Sequence, residues 1–187
     1  MSHQEITFVR FRSAGRPLVV MAILKPKSRK ALVCIGLLAV IVLAFAGLSA
    51  FSRGKPPTGL AGDGRLSPCP DSPNCVCSEA DSLPSSIAPL AFTGSPDTAR
   101  ANLLRAIAAS GGTVQTQDGD YISATYRTAV FRFIDDLECR IDTASKLIHV
   151  RSASRVGRSD LGVNRRRAAR LRAAFVAQQS TASRVSK

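Results

Sequence analysis

FRFIDDLECRID, residues 131–142, alternates between apolar and charged side chains. One parity holds Phe131, Phe133, Leu137, Cys139 and Ile141, and the other holds Arg132, Asp136, Glu138, Arg140 and Asp142. Successive side chains of a β-strand point to opposite faces of a sheet. The stretch is therefore predicted to be a strand with one face on a core and the other in water.

The neighbouring segments predict an antiparallel sheet around this strand. Residues 113–117 and 121–128 are strand-like and are joined by Asp118-Gly119, a sequence typical of a hairpin turn. A further strand is expected at 146–152, after a turn over 142–145. Such short connections favour consecutive antiparallel strands.

Two helices are predicted to flank the sheet. Ser95 can cap a helix whose first position is Pro96, and Gly111-Gly112 ends it. A second helix begins near Val163. Its apolar stripe is Ala168, Leu171 and Phe175, and the arginines outside that stripe are Arg165, Arg166, Arg167, Arg170 and Arg172. The predicted fold class is α+β, a small antiparallel sheet with two helices.

A transmembrane helix is predicted before this domain. Residues 31–51 contain no charge, and about 20 helical residues cross the roughly 30 Å of bilayer hydrocarbon. Four basic residues precede it, namely Lys25, Lys27, Arg29 and Lys30, so the N-terminus is expected in the cytoplasm and the domain outside. Cleavage after Ala46 and a buried core helix are the alternatives, and a true start at Met21 would shorten the leader to ten residues.

The net charge of +13 is concentrated at the two ends of the 187-residue chain. Residues 1–30 carry +6 and residues 151–187 carry +9, whereas residues 52–150 carry −2. This composition excludes a disordered polyelectrolyte and a collagen-like chain. Nucleic acid is not expected as a partner, because the basic tail follows a membrane span and lacks stacking aromatics.

The chain is therefore divided into five parts. We expect a basic cytoplasmic leader, a signal anchor, a flexible Gly- and Pro-rich linker, an exported domain and a disordered tail. Their ranges are 1–30, 31–51, 52–67, 68–179 and 180–187. The expected location is the cytoplasmic membrane, with the domain in the periplasm if the source is a Gram-negative bacterium.

Three motifs resemble the family of domain of unknown function 1499. They are CPDSPNCV at 69–76, FRFIDDLE at 131–138 and RSASRVGRSDLGVNRRR at 151–167, and the resemblance covers residues 66–175. It implies an exported or membrane protein of bacterial type, with relatives in plant chloroplasts, but no activity. Cys77 departs from the family, which has Ser at that position.

Four cysteines lie in the predicted exported part: Cys69, Cys75, Cys77 and Cys139. They permit two disulfides in an oxidising compartment, and a Cys69–Cys75 bridge is favoured because Pro70 and Pro73 pre-bend that loop. Zinc is the alternative, but the spacing is poor and His149 is the domain's one histidine. No metal and no cofactor is predicted.

The carboxylates of Asp135, Asp136 and Glu138 have two interpretations. Asp136 and Glu138 are weak candidates for acid/base catalysis, since they share a face of the strand. Asp135 points to the predicted core and is expected to be structural, paired with Arg151 or Arg155. Pairing is favoured over catalysis for this set, because no histidine or metal ligand accompanies it.

Residues 151–167 are the predicted ligand-binding segment. The candidate ligand-binding residues are Arg151, Ser152, Ser154, Arg155, Ser159, Asn164 and Arg165. Guanidinium forks, hydroxyls and a helix start suit phosphate, sulfate or carboxylate. The alternative is structural: Ser159 or Asp160 caps the helix and the arginines neutralise nearby acids. Ser154 is not expected to be a nucleophile.

Three functions follow as hypotheses. The first is a membrane-anchored protein whose exported domain binds an anionic ligand or lipid headgroup, with no reaction. The second is a hydrolase-like enzyme that uses Asp136 or Glu138 beside the arginines. The third is a scaffold for another envelope protein. The expected partners are the membrane, through residues 31–51, and an anionic lipid, a small anion or an envelope protein.

Overall fold

A computed structural model describes residues 6–10, 20–24, 28–81, 84–128 and 131–185. The chain forms two compact units, which comprise residues 1–45 and 46–187. In the first unit, β1 (Ile6–Arg10) pairs antiparallel with β2 (Val20–Leu24). Neither strand is predicted by the sequence pattern of residues 1–30.

Helix α1 (Arg29–Gly54) contains the predicted membrane segment. At about 1.5 Å per residue, its 26 residues are long enough to cross a bilayer, and within the described residues it is the one helix with the required length and apolarity. Its large apolar side chains are exposed, as expected for contact with lipid. The structure thus supports a single-pass membrane anchor.

The second unit contains a six-stranded antiparallel sheet and two helices, which confirms the predicted α+β class. The elements are β3 (Cys75–Cys77), β4 (Leu90–Ala91), α2 (Pro96–Ala109), β5 (Thr113–Asp118), β6 (Tyr121–Arg127), β7 (Ile134–Asp142), β8 (Leu147–Ser154) and α3 (Val163–Val185). In the sheet, β3, β8, β7, β6 and β5 are neighbours in that order, and β4 also pairs with β8.

The predicted start and end of α2 are confirmed. The hydroxyl of Ser95 accepts a hydrogen bond from the Thr98 amide at 3.2 Å, and Pro96 occupies the first turn. Gly111 follows the helix with φ of 90°, a left-handed conformation that favours glycine. The predicted hairpin turn is also confirmed, because Gly119, which lies between β5 and β6, has a left-handed φ of 52°.

Both helices pack on one face of the sheet, which we call the helix face. Its core contains Leu103 and Ile107 of α2 with Leu171 and Phe175 of α3, all at most 1% exposed. The strands contribute Ile122, Ala124, Leu137, Cys139, Ile141, Ile148 and Val150. The predicted stripe of α3 is therefore confirmed, because Ala168 is also buried.

The opposite face of the sheet is not wet, and that prediction was wrong. Asp136 is 6% exposed and Glu138 is fully buried, although both were expected to face water. Residues 58 and 59 of an irregular segment lie over Glu138 and donate hydrogen bonds to its carboxylate, including one from the Gly59 amide. We call this surface the charged face. Alternation alone could not reveal that an irregular segment covers it.

The predicted linker and tail differ from the structure. Residues 52–54 belong to α1, and Leu66, in the segment predicted to be flexible, is 3% exposed. At the C-terminus, α3 continues through residues 180–185, which were expected to be disordered. A Gly- and Pro-rich composition therefore marks an irregular segment here, and that segment packs on the domain.

The two ends of the sheet differ in their surroundings. At the anchor end β7 begins and β6 and β8 end, and there the Ile134 amide donates to the Ser52 hydroxyl at 3.2 Å. The far end carries the turns at 118–121 and 142–147. The last turns of α1 thus lie against the anchor end.

Candidate functional site

Glu138 is the centre of the charged face. Its carboxylate accepts hydrogen bonds from Arg151 at 2.6 Å, the Tyr121 hydroxyl at 2.8 Å, the Gly59 amide at 2.6 Å and the Thr58 hydroxyl at 3.2 Å. Burial beside this carboxylate raises the pKa of Tyr121 far above its usual value, so its hydroxyl stays protonated and donates. Glu138 therefore holds residues 58–59 to the sheet.

Asp136 lies two residues before Glu138, on the same face of β7, and it pairs with Arg155. The contact is bidentate, with N···O distances of 2.7 and 2.8 Å. Burial raises the pKa of Asp136, although Arg155 opposes that effect. Arg155 also donates to the carbonyl oxygens of Ser52 at 3.2 Å and Arg53 at 3.4 Å. It thus caps the C-terminal end of α1 and joins that helix to β7.

Asp135 is buried on the helix face and pairs with Arg167 of α3. Its predicted partners were Arg151 and Arg155, and that prediction was wrong because both arginines lie on the opposite face with other acids. Arg167 was placed outside the helix stripe, yet it is 3% exposed and covers the Tyr126 ring at 4.8 Å. A buried carboxylate can recruit an arginine that apolar periodicity places outside.

Three predicted ligand-binding residues form an internal polar network. The hydroxyl of Ser152 donates to Asn164 at 2.7 Å, and the Asn164 amide group donates to Ser154 at 3.0 Å and to the Asn74 carbonyl at 2.8 Å. Ser152 and Asn164 are fully buried. These contacts fasten α3 to β8 and to the loop before β3.

The N-terminus of α3 is occupied by its own cap. The Asp160 carboxylate accepts from the Gly162 amide at 2.8 Å and the Asn164 amide at 2.7 Å, as the structural alternative predicted. Ser159 is exposed and accepts a 3.4 Å contact from the Leu161 amide. Arg165 donates to the carbonyl oxygens of Pro84 and Ser86, at 2.8 and 3.1 Å.

A disulfide joins Cys69 to Cys75, with Cα atoms 5.6 Å apart, as predicted. Cys77 and Cys139 are free and buried. They occupy opposite faces of the sheet, because Cys77 is level with Arg151 and Cys139 with Val150 in the strand register. This separation excludes the second disulfide that the cysteine count permitted.

A third acid, Glu79, lies on the charged face and was not considered in the sequence analysis. It forms an ion pair with Arg140 and lies 3.7 Å from His149. Burial raises the pKa of Glu79, but hydrogen bonds from Arg140 and the Leu66 amide outweigh it, so the pKa lies below its usual range. Burial lowers the pKa of His149. Sequence position gave no signal for this cluster.

A cleft of about 440 Å³ opens between the juxtamembrane segment and β8, and we call it the anchor cleft. Its walls contain Lys55, Thr58, Pro68 to Pro70, Asp136, Arg151, Ala153, Ser154 and Arg155. Three of these, Arg151, Ser154 and Arg155, were predicted ligand-binding residues. Lys55 and Thr58 were missed because they lie in the segment interpreted as a linker.

Arg151 has donors that the protein does not use. Its side chain is 5% exposed and makes one hydrogen bond, from Nη1 to Glu138. Its Nε is buried without a partner among the described residues. The Nε atoms of Arg140 and Arg167 are likewise buried without a partner among the described residues, but of these three arginines Arg151 lines the anchor cleft. Because one hydrogen bond engages its guanidinium, Arg151 has spare hydrogen-bonding capacity there.

The weak catalytic candidates are in structural surroundings. Four donors engage Glu138, and a bidentate arginine holds Asp136, as described above. No described histidine lies in the walls of the cleft beside them. The geometry thus resembles a set of ion pairs rather than a pair of carboxylates poised for proton transfer.

Comparison with known proteins gives a family without an assigned activity. Residues 65–175 match the family model described as a protein of unknown function, DUF1499, and the chain belongs to this family. No curated protein and no solved structure matches the chain. The match includes strands β3 to β8, the disulfide and the buried part of α3, whereas α1 and Lys55 precede it.

Proposed function

We propose that this chain is a membrane-anchored binding protein for a phosphate-class anion, which it holds in the anchor cleft. The observation that carries the proposal is that Arg151 lines that cleft and uses one of its terminal nitrogens, Nη1, in a hydrogen bond within the protein. Guanidinium groups bind phosphate oxygens through paired, planar N–H donors. An anion bound beside Arg151 would satisfy donors that the protein leaves unused.

The charge of the cleft supports an anion. Lys55, Arg151 and Arg155 bring three positive charges, against the carboxylates of Asp136 and Glu138. The net charge of these five side chains is +1, and it resides on Lys55 because Arg151 and Arg155 each have an acidic partner. Lys55 is exposed, and its ammonium group contacts the Arg155 carbonyl at 3.3 Å.

Ser154 borders the same cleft, but its hydroxyl lies on the helix face, where it accepts a hydrogen bond from Asn164 at 3.0 Å. The donors offered to a ligand are therefore the guanidinium groups and the Lys55 ammonium.

Two sources of the anion share this chemistry, a free phosphate and the phosphodiester of a lipid headgroup. Lys55 directly follows Gly54, the last residue of α1, so the cleft lies next to the end of the membrane anchor. Phe51 lies beneath the Lys55 ammonium at 4.8 Å. A headgroup of the surrounding bilayer and a soluble anion can thus both reach it.

The test uses the full chain in phosphatidylcholine nanodiscs. One arm measures binding of radiolabelled inorganic phosphate by equilibrium dialysis, and the other measures retention of added phosphatidylglycerol by native mass spectrometry. We expect Arg151→Lys and Lys55→Ala each to weaken the affinity for the anion about tenfold or less. Arg151→Lys removes the guanidinium fork, and Lys55→Ala removes one charge-assisted contact. Lys146→Ala, at the far end, is the matched control.

The outcomes separate the sources and can overturn the proposal. Phosphate binding that depends on Lys55 identifies a soluble ligand, and retention of phosphatidylglycerol without phosphate binding identifies a headgroup. Lys55→Ala keeps the proposal testable if Arg151→Lys fails to fold, because the Lys55 side chain is exposed. The proposal is overturned if neither probe binds, or if Lys55→Ala and Lys146→Ala bind equally.

A further inference from the structure

We infer that the anchor end of the sheet rests on the surface of an anionic bilayer. The contacting surface, which we call the anchor-end face, is formed by exposed residues at this end of the sheet. They are Arg53, Arg127, Phe131, Arg132, Arg158 and Leu161. None of these residues lines the anchor cleft, so the inference does not depend on the proposed function.

The position of α1 gives the first argument. The uncharged stretch of the anchor ends at Phe51, and Arg53 is the first charged residue after it. Such a residue lies at the level of the lipid headgroups. The Ile134 amide bonds to Ser52, and Arg155 bonds to the Ser52 and Arg53 carbonyls. These contacts place the start of β7 and the end of β8 at the same level.

The distribution of charge gives the second argument. The anchor-end face carries four exposed arginines, and the residues that form it include no acid. At the far end the turns carry Asp118, Asp120, Asp142 and Lys146, and Arg100 and Arg140 lie 3.1 Å from Asp120 and 4.0 Å from Asp142. The charges of those far-end residues therefore cancel, whereas each exposed arginine of the anchor-end face contributes about 1 kcal/mol near an anionic membrane.

Two exposed apolar side chains give the third argument. Leu161 is 85% exposed and has φ of 52°, a conformation that is uncommon for a residue with a side chain. Phe131 is 36% exposed, and its ring centroid lies 5.9 Å from that of Phe133. Basic residues around exposed Phe and Leu side chains are typical of surfaces that insert into the headgroup region.

The absence of tryptophan from the sequence makes a direct measurement possible. Phe131→Trp places a single reporter on the anchor-end face, and Ala144→Trp places one in the exposed far-end turn. Both full-length variants are reconstituted in nanodiscs that contain acyl-brominated phosphatidylcholine with or without phosphatidylglycerol. We expect about twofold quenching at position 131, increased by phosphatidylglycerol, and none at position 144.

A charge reversal sharpens the test. In the Phe131→Trp background, Arg132→Glu should reduce the effect of phosphatidylglycerol on quenching, and Lys146→Glu should leave it unchanged. The two substitutions alter the net charge equally, and both side chains are exposed or at a turn, so folding is expected to persist. Equal quenching at positions 131 and 144, or none at either, would overturn the inference.

Discussion

The two faces of the sheet bury charges in different ways. On the helix face, Asp135 and Arg167 form one ion pair that the Ser152 and Asn164 network and the Tyr126 ring complete. On the charged face, Arg151 is equally buried but makes one hydrogen bond, to Glu138, and it lines a cleft. The Nε atoms of both arginines are buried without a partner among the described residues, so the faces differ in the bonds of the terminal nitrogens and in the cleft beside Arg151. An ion pair completed by further bonds serves the fold, whereas one beside a cleft leaves binding capacity.

The largest predicted effect is on the helix face. Asp135→Ala leaves the Arg167 charge buried without its acid and should lower the free energy of unfolding by about 3–5 kcal/mol. Denaturant unfolding of the full chain in detergent measures this. Asp71→Ala, an exposed acid in the disulfide loop, is the control and should change little. A loss below about 1 kcal/mol for Asp135→Ala would show that this pair does not hold α3.

On the charged face, we expect Glu138→Gln to act mainly on the juxtamembrane segment. The amide keeps the size of the side chain but loses the charge that Arg151, Gly59 and Thr58 bind. The expected loss is about 1–3 kcal/mol. Hydrogen exchange should quicken at the Gly59 amide and stay slow at Leu137 in the core. Equal acceleration at both amides would mean that Glu138 supports the whole domain.

The sequence predicted the helix face better than the charged face. Apolar periodicity and turn residues identified β5 to β8, both helices and the stripe of α3, because those signals are local. The partners of Asp135 and Glu138 could not be predicted in this way. They come from Arg167, 32 residues away, and Gly59, 79 residues away, and such pairings depend on how the elements pack.

The candidate site was predicted only in part, for a similar reason. Arg151, Ser154 and Arg155 were named from their side-chain chemistry, and they do line the anchor cleft. Ser152 and Asn164 have the same chemistry but point into the helix face. Strand parity separates Ser152 from Arg151, yet the segment 151–167 was considered as a whole. Lys55 was missed because no local pattern shows that an irregular segment packs on a sheet.

Acid should weaken the charged face through His149. Its pKa is lowered by burial, although Glu79 opposes this, so the folded state favours the neutral ring. The free energy of unfolding is therefore unaffected by His149 above the pKa of about 6.5 that the ring has in the unfolded chain. It falls as the pH drops from there toward the lower pKa of His149 in the folded state. Urea unfolding at pH 7 and pH 5 should show a smaller loss in His149→Gln than in the wild type. Identical losses would exclude His149 as the cause.

The smallest predicted effect concerns a local contact far from both ion pairs. Ser95→Ala removes the hydroxyl that caps α2 and should cost about 1 kcal/mol. Ser95→Asp retains an acceptor and should preserve most of the stability. Thermal unfolding of the two variants gives the comparison, and an unchanged stability in Ser95→Ala would show that the cap contributes nothing at this position.

The central claim is that the anchor cleft binds a phosphate-class anion through donors that the fold leaves unused. Thermal unfolding of the full chain at increasing phosphate tests it most directly, because a ligand of the folded state adds about 2.7 kcal/mol at one hundred times its dissociation constant. We predict a rising midpoint for the wild type and Lys146→Ala, and a smaller rise for Lys55→Ala. The same rise in all three proteins, or none in the wild type at any phosphate or phosphatidylglycerol concentration, would contradict the account.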